Sequence, residues 1–118
     1  MKKRTAMKWI AALRSGAYNQ GSSQLVTVDA DENEHFCCLG VLCNLATEDG
    51  YGEWDGEDFK SESGDRENKV MPWGMELYTG MESRNGTVDD DVCLTVLNDK
   101  GLSFTELADI IEKNWRKL

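Results

Sequence analysis

The chain of 118 residues is short of several residue types on which common functional sites depend. It has one histidine, His35, so a Ser-His-Asp triad has a single candidate centre. Neither of the glycine-rich motifs G-x-x-x-x-G-K-[ST] and G-x-G-x-x-G is present, which excludes the usual phosphate-binding loops. No apolar run approaches the length of a transmembrane helix, and no signal peptide is visible. We therefore expect a cytoplasmic protein whose thiols stay reduced.

Basic residues are also scarce relative to acidic ones. The chain has 13 lysines and arginines against 22 aspartates and glutamates, which gives a formal net charge of −9. A surface of this sign repels the phosphate backbones of DNA and RNA and the anionic surface of a membrane. We therefore expect neither direct nucleic-acid binding nor membrane binding.

The spacing of apolar and turn residues predicts one α+β domain over residues 1–118, with helices packed on a short antiparallel sheet. The first helix would be capped by Thr5 and end at Ser15-Gly16. Ser103 and Glu106 match a capping box at the start of the last helix. Between these helices the sequence predicts strands at 25–28 and 35–37, a buried helix at 38–46, a short helix at 72–80, a loop at 81–91 and a short helix or turn at 92–99.

Residues 47–69 differ in composition from the rest of the chain. They are rich in acidic residues and glycine, and Tyr51, Trp54 and Phe59 are interspersed among them. Disordered segments usually lack aromatic residues, so these three argue for order. The segment is predicted to form a β-hairpin or an ordered acidic loop inserted in the domain.

The apolar segment FCCLGVLCNLA (36–46) contains three of the four cysteines. Cys38 and Cys43 are five positions apart, so a helix turns them to different faces. Their spacing also lacks the paired pattern that zinc sites use. We interpret these cysteines as core residues, with Gly40 allowing close approach of another element, and we expect no metal and no cofactor. As an alternative, His35 and Cys37 share one face of a strand and could form a nucleophilic pair, although nearby acidic residues would raise the pKa of the thiol.

Residues 14–20 are the most favourable place for a small ligand. Arg14, Ser15, Tyr18 and Gln20 lie close together there, in a chain with few basic residues. An arginine fork binds phosphate and an aromatic ring stacks on a base, so this segment, with Tyr18 or Trp73 as the stacking ring, could bind a planar anionic molecule. The alternative is structural, because Arg14 complements the C-terminal dipole of the first helix and Tyr18 could cover the core.

Five segments of the chain resemble a family of small tailed-phage and prophage proteins. That family shows W-x-x-A-L-R-S-G-x-Y-x-Q-G, then CCLGVLC, a proline followed by W/Y-x-G-L, L-N-D and a closing amphipathic helix. The matching segments here are KWIAALRSGAYNQG (8–21), FCCLGVLCNLA (36–46), MPWGMELYTGM (71–81), VLND (96–99) and SFTELADIIE (103–112). The chain departs mildly from the pattern at residues 78–81, where Tyr-Thr-Gly-Met replaces Trp-x-Gly-Leu.

The resemblance implies a phage accessory protein that acts in the cytoplasm of an infected bacterium. Small phage proteins often counter host defence, some by sequestering cyclic ADP-ribose isomers or cyclic oligonucleotides. The leading hypothesis is therefore a non-enzymatic homodimer or higher homo-oligomer that binds a nucleotide-like signal. One alternative is an acidic inhibitor or nucleic-acid mimic that binds a host enzyme through residues 47–69 and 89–91. The other is a hydrolase of the same signal that uses Cys37 and His35.

Overall fold

The computed structural model describes residues 1–118 and confirms the predicted α+β class. Its helices are α1 (Lys3–Arg14), α2 (Cys38–Glu48), α3 (Glu76–Thr79), α4 (Leu94–Asp99) and α5 (Phe104–Asn114), with 3-10 turns at Trp73–Met75 and Trp115–Lys117. Its strands are β1 (Val26–Val28), β2 (Glu34–Phe36), β3 (Gly52–Asp55), β4 (Asp58–Ser61), β5 (Arg66–Glu67), β6 (Thr87–Asp89) and β7 (Val92–Cys93). They form three antiparallel sheets, ordered β1-β2, β3-β4-β5 and β6-β7.

Helix α2 is the centre of the hydrophobic core. Eight of its 11 residues are buried, including Cys38 and Cys43. Helix α1 packs along α5, and both α1 and α4 contact α2. One cluster of 26 buried apolar residues joins these helices to the sheets, so the chain has a single core. None of the helices is long and apolar enough to span a bilayer.

Gly40 sets the distance between α2 and the residue that precedes β1. A Cβ atom on Gly40 would lie 1.8 Å from the carbonyl oxygen of Leu25, so no larger residue fits there. On the other side of the helix start, the indole Nε1 of Trp9 donates a hydrogen bond to the carbonyl of Cys38 at 2.8 Å. The prediction that Gly40 permits close approach of another element is confirmed.

Asn98, on α4, is a buried hydrogen-bonding centre. Its Oδ1 accepts from the backbone N–H of Cys38 at 3.2 Å and from Nε2 of Gln20 at 3.0 Å. Its Nδ2 donates to the carbonyl of Gly21 at 2.8 Å. The side chain therefore joins α4, the start of α2 and the segment after α1, and it satisfies backbone groups that would otherwise be buried without partners.

The predicted starts of the first and last helices had different outcomes. Ser103 and Glu106 form the predicted capping box on α5. The prediction that Thr5 caps α1 is wrong, because the helix begins at Lys3 and Thr5 lies within its first turn. Its hydroxyl instead donates to the carbonyl of Tyr78 at 2.9 Å. A tertiary partner has replaced the local capping interaction that the sequence predicts.

The acidic segment and the segment after it contain more strand than predicted. Residues 47–69 include the predicted hairpin, β3-β4, and β5 adds a third strand. Trp54 and Phe59 face each other across the hairpin with ring centroids 5.1 Å apart, and Phe59 is fully buried. The prediction of a loop at 81–91 is partly wrong, because this segment contains β6, which pairs with β7. Short strands of two or three residues leave little periodicity in a sequence.

Candidate functional site

Arg14, the residue predicted to hold a phosphate, forms ion pairs within the protein. Its Nη2 lies 2.7 Å from Asp109 Oδ1 and its Nη1 lies 3.0 Å from Glu112 Oε2. Both carboxylates belong to α5, so the guanidinium fork connects the end of α1 to that helix. A phosphate on Arg14 would have to compete with two carboxylates that already neutralise it.

The other predicted residues of the segment 14–20 also hydrogen-bond within the fold. The hydroxyl of Ser15 donates to the carbonyl of Ala12 at 2.6 Å, at the end of α1. Gln20 donates to the carbonyl of Leu102 at 2.7 Å and accepts from the N–H of Phe104 at 3.1 Å. The hydroxyl of Tyr18 accepts from Nδ2 of Asn44 at 2.9 Å.

Trp73, the alternative stacking residue, lines a different surface from Tyr18. It is 63% exposed, and the guanidinium of Arg84 lies 4.8 Å from its ring centroid. Trp73 lines a shallow depression with Leu77, whereas Tyr18 lines another depression with Glu34. The structure therefore does not bring the five predicted residues to one cleft, and their role in ligand binding stays a prediction.

The cysteines and His35 do not form a nucleophilic pair in this structure. Cys37 caps α2, where its sulfur accepts from the N–H of Gly40 at 3.4 Å, and burial raises the pKa of its thiol to about 11. Burial also raises the pKa values of the Cys38 and Cys43 thiols. The Nε2 of His35 lies 3.0 Å from Asp29 Oδ2. No group of three or more His, Cys, Asp and Glu side chains is placed to share a metal ion.

A cleft that the sequence did not indicate lies at the start of α1. Its volume is about 310 Å³, and we refer to it as the α1 cleft. Helix α1, the segment between α2 and β3, and helix α3 all contribute side chains to it. Its lining residues are Lys2, Arg4, Thr5, Asp49, Tyr51 and Tyr78.

The aromatic side of the α1 cleft is held by hydrogen bonds to one carboxylate. The rings of Tyr51 and Tyr78 have centroids 4.9 Å apart. Asp49 Oδ2 accepts from the hydroxyl of Tyr78 at 2.8 Å and from Nζ of Lys8 at 2.5 Å. The hydrogen bonds from Lys8 and then Tyr78 lower the pKa of Asp49. Burial, followed by the hydrogen bond to Asp49, raises the pKa of Tyr78, so the phenol stays protonated as a donor.

The α1 cleft also contains two cationic side chains. Lys2 donates from Nζ to the carbonyl of Leu77 at 2.5 Å. Arg4 is exposed, and none of the ion pairs or side-chain hydrogen bonds of the protein involves its guanidinium. No acidic residue occupies the first turn of α1, so these cations add to the positive end of the helix dipole. This arrangement is unfavourable for an isolated helix and favourable for binding an anion.

The charges of the whole chain are segregated in the same way. Residues 29–112 contain all 22 acidic side chains and only five basic ones. Residues 1–28 and 113–118 contain the other eight basic side chains and no acidic one. The fold brings the two ends together, because the backbone amine of Met1 donates to the carbonyl of Leu118 at 3.0 Å. No acidic residue precedes Asp29, and this feature of the sequence could have been used to predict the cationic residues of the cleft.

Comparison with known proteins identifies a family. Residues 1–115 match the profile of a family described as "Domain of unknown function (DUF8296)". The chain belongs to this family. The match covers α1 to α5 and therefore includes every residue of the α1 cleft. No curated protein and no solved structure matches the chain.

Proposed function

We propose that this DUF8296 protein binds a small nucleotide-like anion and retains it without converting it. The observation that carries the proposal is the α1 cleft, where the unpaired guanidinium of Arg4 and the ring of Tyr51 line one cavity. Phosphate is bound well by a guanidinium fork, and an aromatic ring provides a sequence-tolerant surface for a base. A volume of about 310 Å³ is at the lower end of the range for small-molecule sites.

The side chains of the cleft favour binding over catalysis. Tyr78 keeps its proton because its pKa is raised, and the hydroxyl of Thr5 is engaged by the carbonyl of Tyr78. The hydroxyl of Tyr78 donates to Asp49, but a carboxylate whose pKa is lowered is too weak a base to take the proton of a phenol whose pKa is raised. Cys37, the nucleophile of the alternative enzyme hypothesis, is buried in the core and is protonated at neutral pH.

The biological role that we propose follows from the phage-like sequence segments. A protein that sequesters a cyclic ADP-ribose isomer or a cyclic oligonucleotide would counter a bacterial defence that depends on that signal. Such a protein would act as a homodimer or higher homo-oligomer in the host cytoplasm. Sequestration needs stoichiometric binding and no turnover, which agrees with a cleft that has cations and aromatic rings but no activated nucleophile.

Native mass spectrometry with cyclic dinucleotides, cyclic ADP-ribose isomers and linear nucleotides tests the proposal. We expect an unchanged nucleotide to be retained, and the same spectrum gives the oligomeric state. Arg4→Gln should weaken binding by roughly 10- to 100-fold, the usual effect of losing a hydrogen bond to a charged group. Lys3→Gln is the matched control, since it removes one positive charge from the same helical turn outside the cleft.

Three results would count against this assignment. Equal binding by Arg4→Gln and the parent would exclude the α1 cleft. If Arg14→Gln lost binding instead, the site would lie in the segment 14–20. Conversion of the nucleotide during incubation would replace sequestration by catalysis.

Binding to a basic surface of a host enzyme is a second candidate function, supported by the end of β6 and the turn that follows it. Asp89, Asp90 and Asp91 are consecutive and exposed there, and none forms an ion pair. Within residues 47–69, by contrast, Lys60 lies opposite Glu53 and Arg66 pairs with Asp55, which interrupts the negative surface.

A pull-down from host lysate with the triple variant Asp89→Asn, Asp90→Asn and Asp91→Asn tests this second function. We expect a captured partner to be lost from the variant, and to be lost from the parent when salt shortens the range of electrostatic attraction. A partner that both proteins retain at high ionic strength would exclude electrostatic mimicry at this turn.

A further inference from the structure

The carboxylate of Asp49 is an unexpected feature of a cleft that binds an anion. Asp49 lines the α1 cleft together with Lys2 and Arg4, and its lowered pKa keeps it ionised at neutral pH. An ionised carboxylate repels a phosphate and can only accept hydrogen bonds, so the ligand group that meets Asp49 is a hydrogen-bond donor. The ligand group that meets Asp49 is therefore a different group from the phosphate that meets Arg4.

The position of Asp49 is fixed by contacts that leave one oxygen unengaged. Both hydrogen bonds accepted from other side chains, from Lys8 and Tyr78, end on Oδ2. No side chain donates to Oδ1, and about a third of the side chain is exposed. Two donors that come from different helices hold the carboxylate in place, so its free oxygen is oriented before a ligand arrives.

We propose that Asp49 accepts hydrogen bonds from the hydroxyl groups of a ribose, so that the protein selects ribonucleotides over deoxyribonucleotides. This inference rests on the proposed function. In a nucleotide, the sugar hydroxyls and the phosphate belong to the same small unit. The α1 cleft has a volume of about 310 Å³, and both Arg4 and Asp49 line it, so one nucleotide could contact both side chains. A carboxylate is the group that commonly binds ribose hydroxyls in nucleotide sites.

The amino group of a base is the other donor that Asp49 could accept. The ring of Tyr51 lines the cleft and is the surface on which a base would stack. A stacked base presents its face to that ring, and the 6-amino group of adenine projects from the edge far from the sugar and the phosphate. Besides the larger effect of the hydrogen bond from Lys8, the charge of Arg4 contributes to the lowered pKa of Asp49, so Arg4 and Asp49 are neighbours in the cleft. A phosphate on Arg4 therefore brings the sugar hydroxyls to Asp49 more directly than the far edge of a base.

NMR titration with adenosine 5′-monophosphate, its 2′,3′-dideoxy analogue and inosine 5′-monophosphate tests the inference. We expect the parent to bind the ribonucleotide roughly 10-fold more tightly than the dideoxy analogue. Asp49→Asn should bind both with similar affinity, and Glu48→Gln is the matched control, because it removes an adjacent exposed charge that does not line the cleft. Asp49 is exposed, so we expect the amide spectrum of the variant to show a folded protein.

Each outcome separates this inference from the proposed function. Equal affinity of the parent for the ribonucleotide and the dideoxy analogue would overturn the ribose contact and leave nucleotide binding intact. A loss with inosine 5′-monophosphate as large as the loss with the dideoxy analogue would assign Asp49 to the base amine. The absence of binding by all three nucleotides at millimolar concentration would overturn both.

Discussion

At the scale of single residues, the side chains of segments 8–21, 36–46 and 96–99 mostly build the framework. Trp9 donates a hydrogen bond to the start of α2, and Gly40 permits close contact with the backbone of Leu25. The side chains of Asn98 and Gln20 form a hydrogen bond with each other. Their contacts are with backbone groups or with each other, which fixes the relative positions of α1, α2 and α4. The residues of these segments therefore identify a fold more directly than they identify a binding site.

Alkylation of the native protein distinguishes its cysteines. Cys93 is half-buried and three others are buried, so we expect iodoacetamide at neutral pH to label Cys93 alone. Burial keeps the Cys37 thiol protonated well above neutral pH, and the thiolate is the reactive form. Peptide mapping by mass spectrometry before and after unfolding gives the labelled positions.

The variant Cys93→Ser is the control for that measurement and should take up no label while folded. Labelling of Cys37 in the native protein would show that its thiol is accessible and ionised. That result would support the enzyme hypothesis built on Cys37 and His35.

At the scale of secondary-structure elements, local sequence patterns decided where helices start and end. The capping box at Ser103 and the left-handed Gly80 at the end of α3 follow from rules that act within one helical turn. These rules do not explain Thr5, because its hydroxyl donates to the carbonyl of Tyr78, which lies 73 positions away in the chain. Patterns of a few residues carry no information about a partner at that distance.

Substitution of Gly40 by alanine tests the packing of α2 on the segment before β1. The new Cβ would lie 1.8 Å from a backbone oxygen that cannot rotate away, so the free energy of unfolding should fall by about 3 kcal/mol or more. Gly50→Ala is the comparison, since it meets no atom within 4 Å and should cost only the strain of its positive φ, about 1–2 kcal/mol. Urea denaturation measures both, and equal losses would contradict the close contact.

At the scale of the whole molecule, titrating groups limit stability at both ends of the pH range. Hydrogen bonds from Lys8 and Tyr78 lower the pKa of Asp49. Burial acts to raise the pKa of Asp65, but hydrogen bonds, the strongest of them from Ser61, outweigh burial and lower it. A lowered carboxyl pKa stabilises the fold above the ordinary value of about 3.9, and this stabilisation is lost as the pH falls through the lower folded value. Raised thiol pKa values act in the opposite sense, because the folded protein then retains protons that the unfolded chain releases.

We therefore expect the melting temperature to be nearly constant between about pH 5 and 8 and to fall outside this range. The alkaline decrease should begin near the ordinary thiol pKa of about 8.5 and continue to the pKa of Cys37, about 11. Differential scanning calorimetry across this range measures it. The variant Cys43→Ala should lose less stability between neutral and alkaline pH, because it lacks one buried thiol. A constant melting temperature up to pH 11 would mean that the thiols are accessible to solvent.

The sequence by itself determined the α+β class, the single core and the structural use of the cysteine-rich segment. These properties depend on apolar periodicity, caps and turn residues, which are local and recur along the chain. The tertiary structure alone decided that Arg14 pairs with α5 and that the α1 cleft exists. Asp49 meets Lys8 and Tyr78, which are 41 and 29 positions away, and the cleft forms only when these segments pack together. A site assembled from distant residues has no local pattern, because packing of the complete chain sets its geometry.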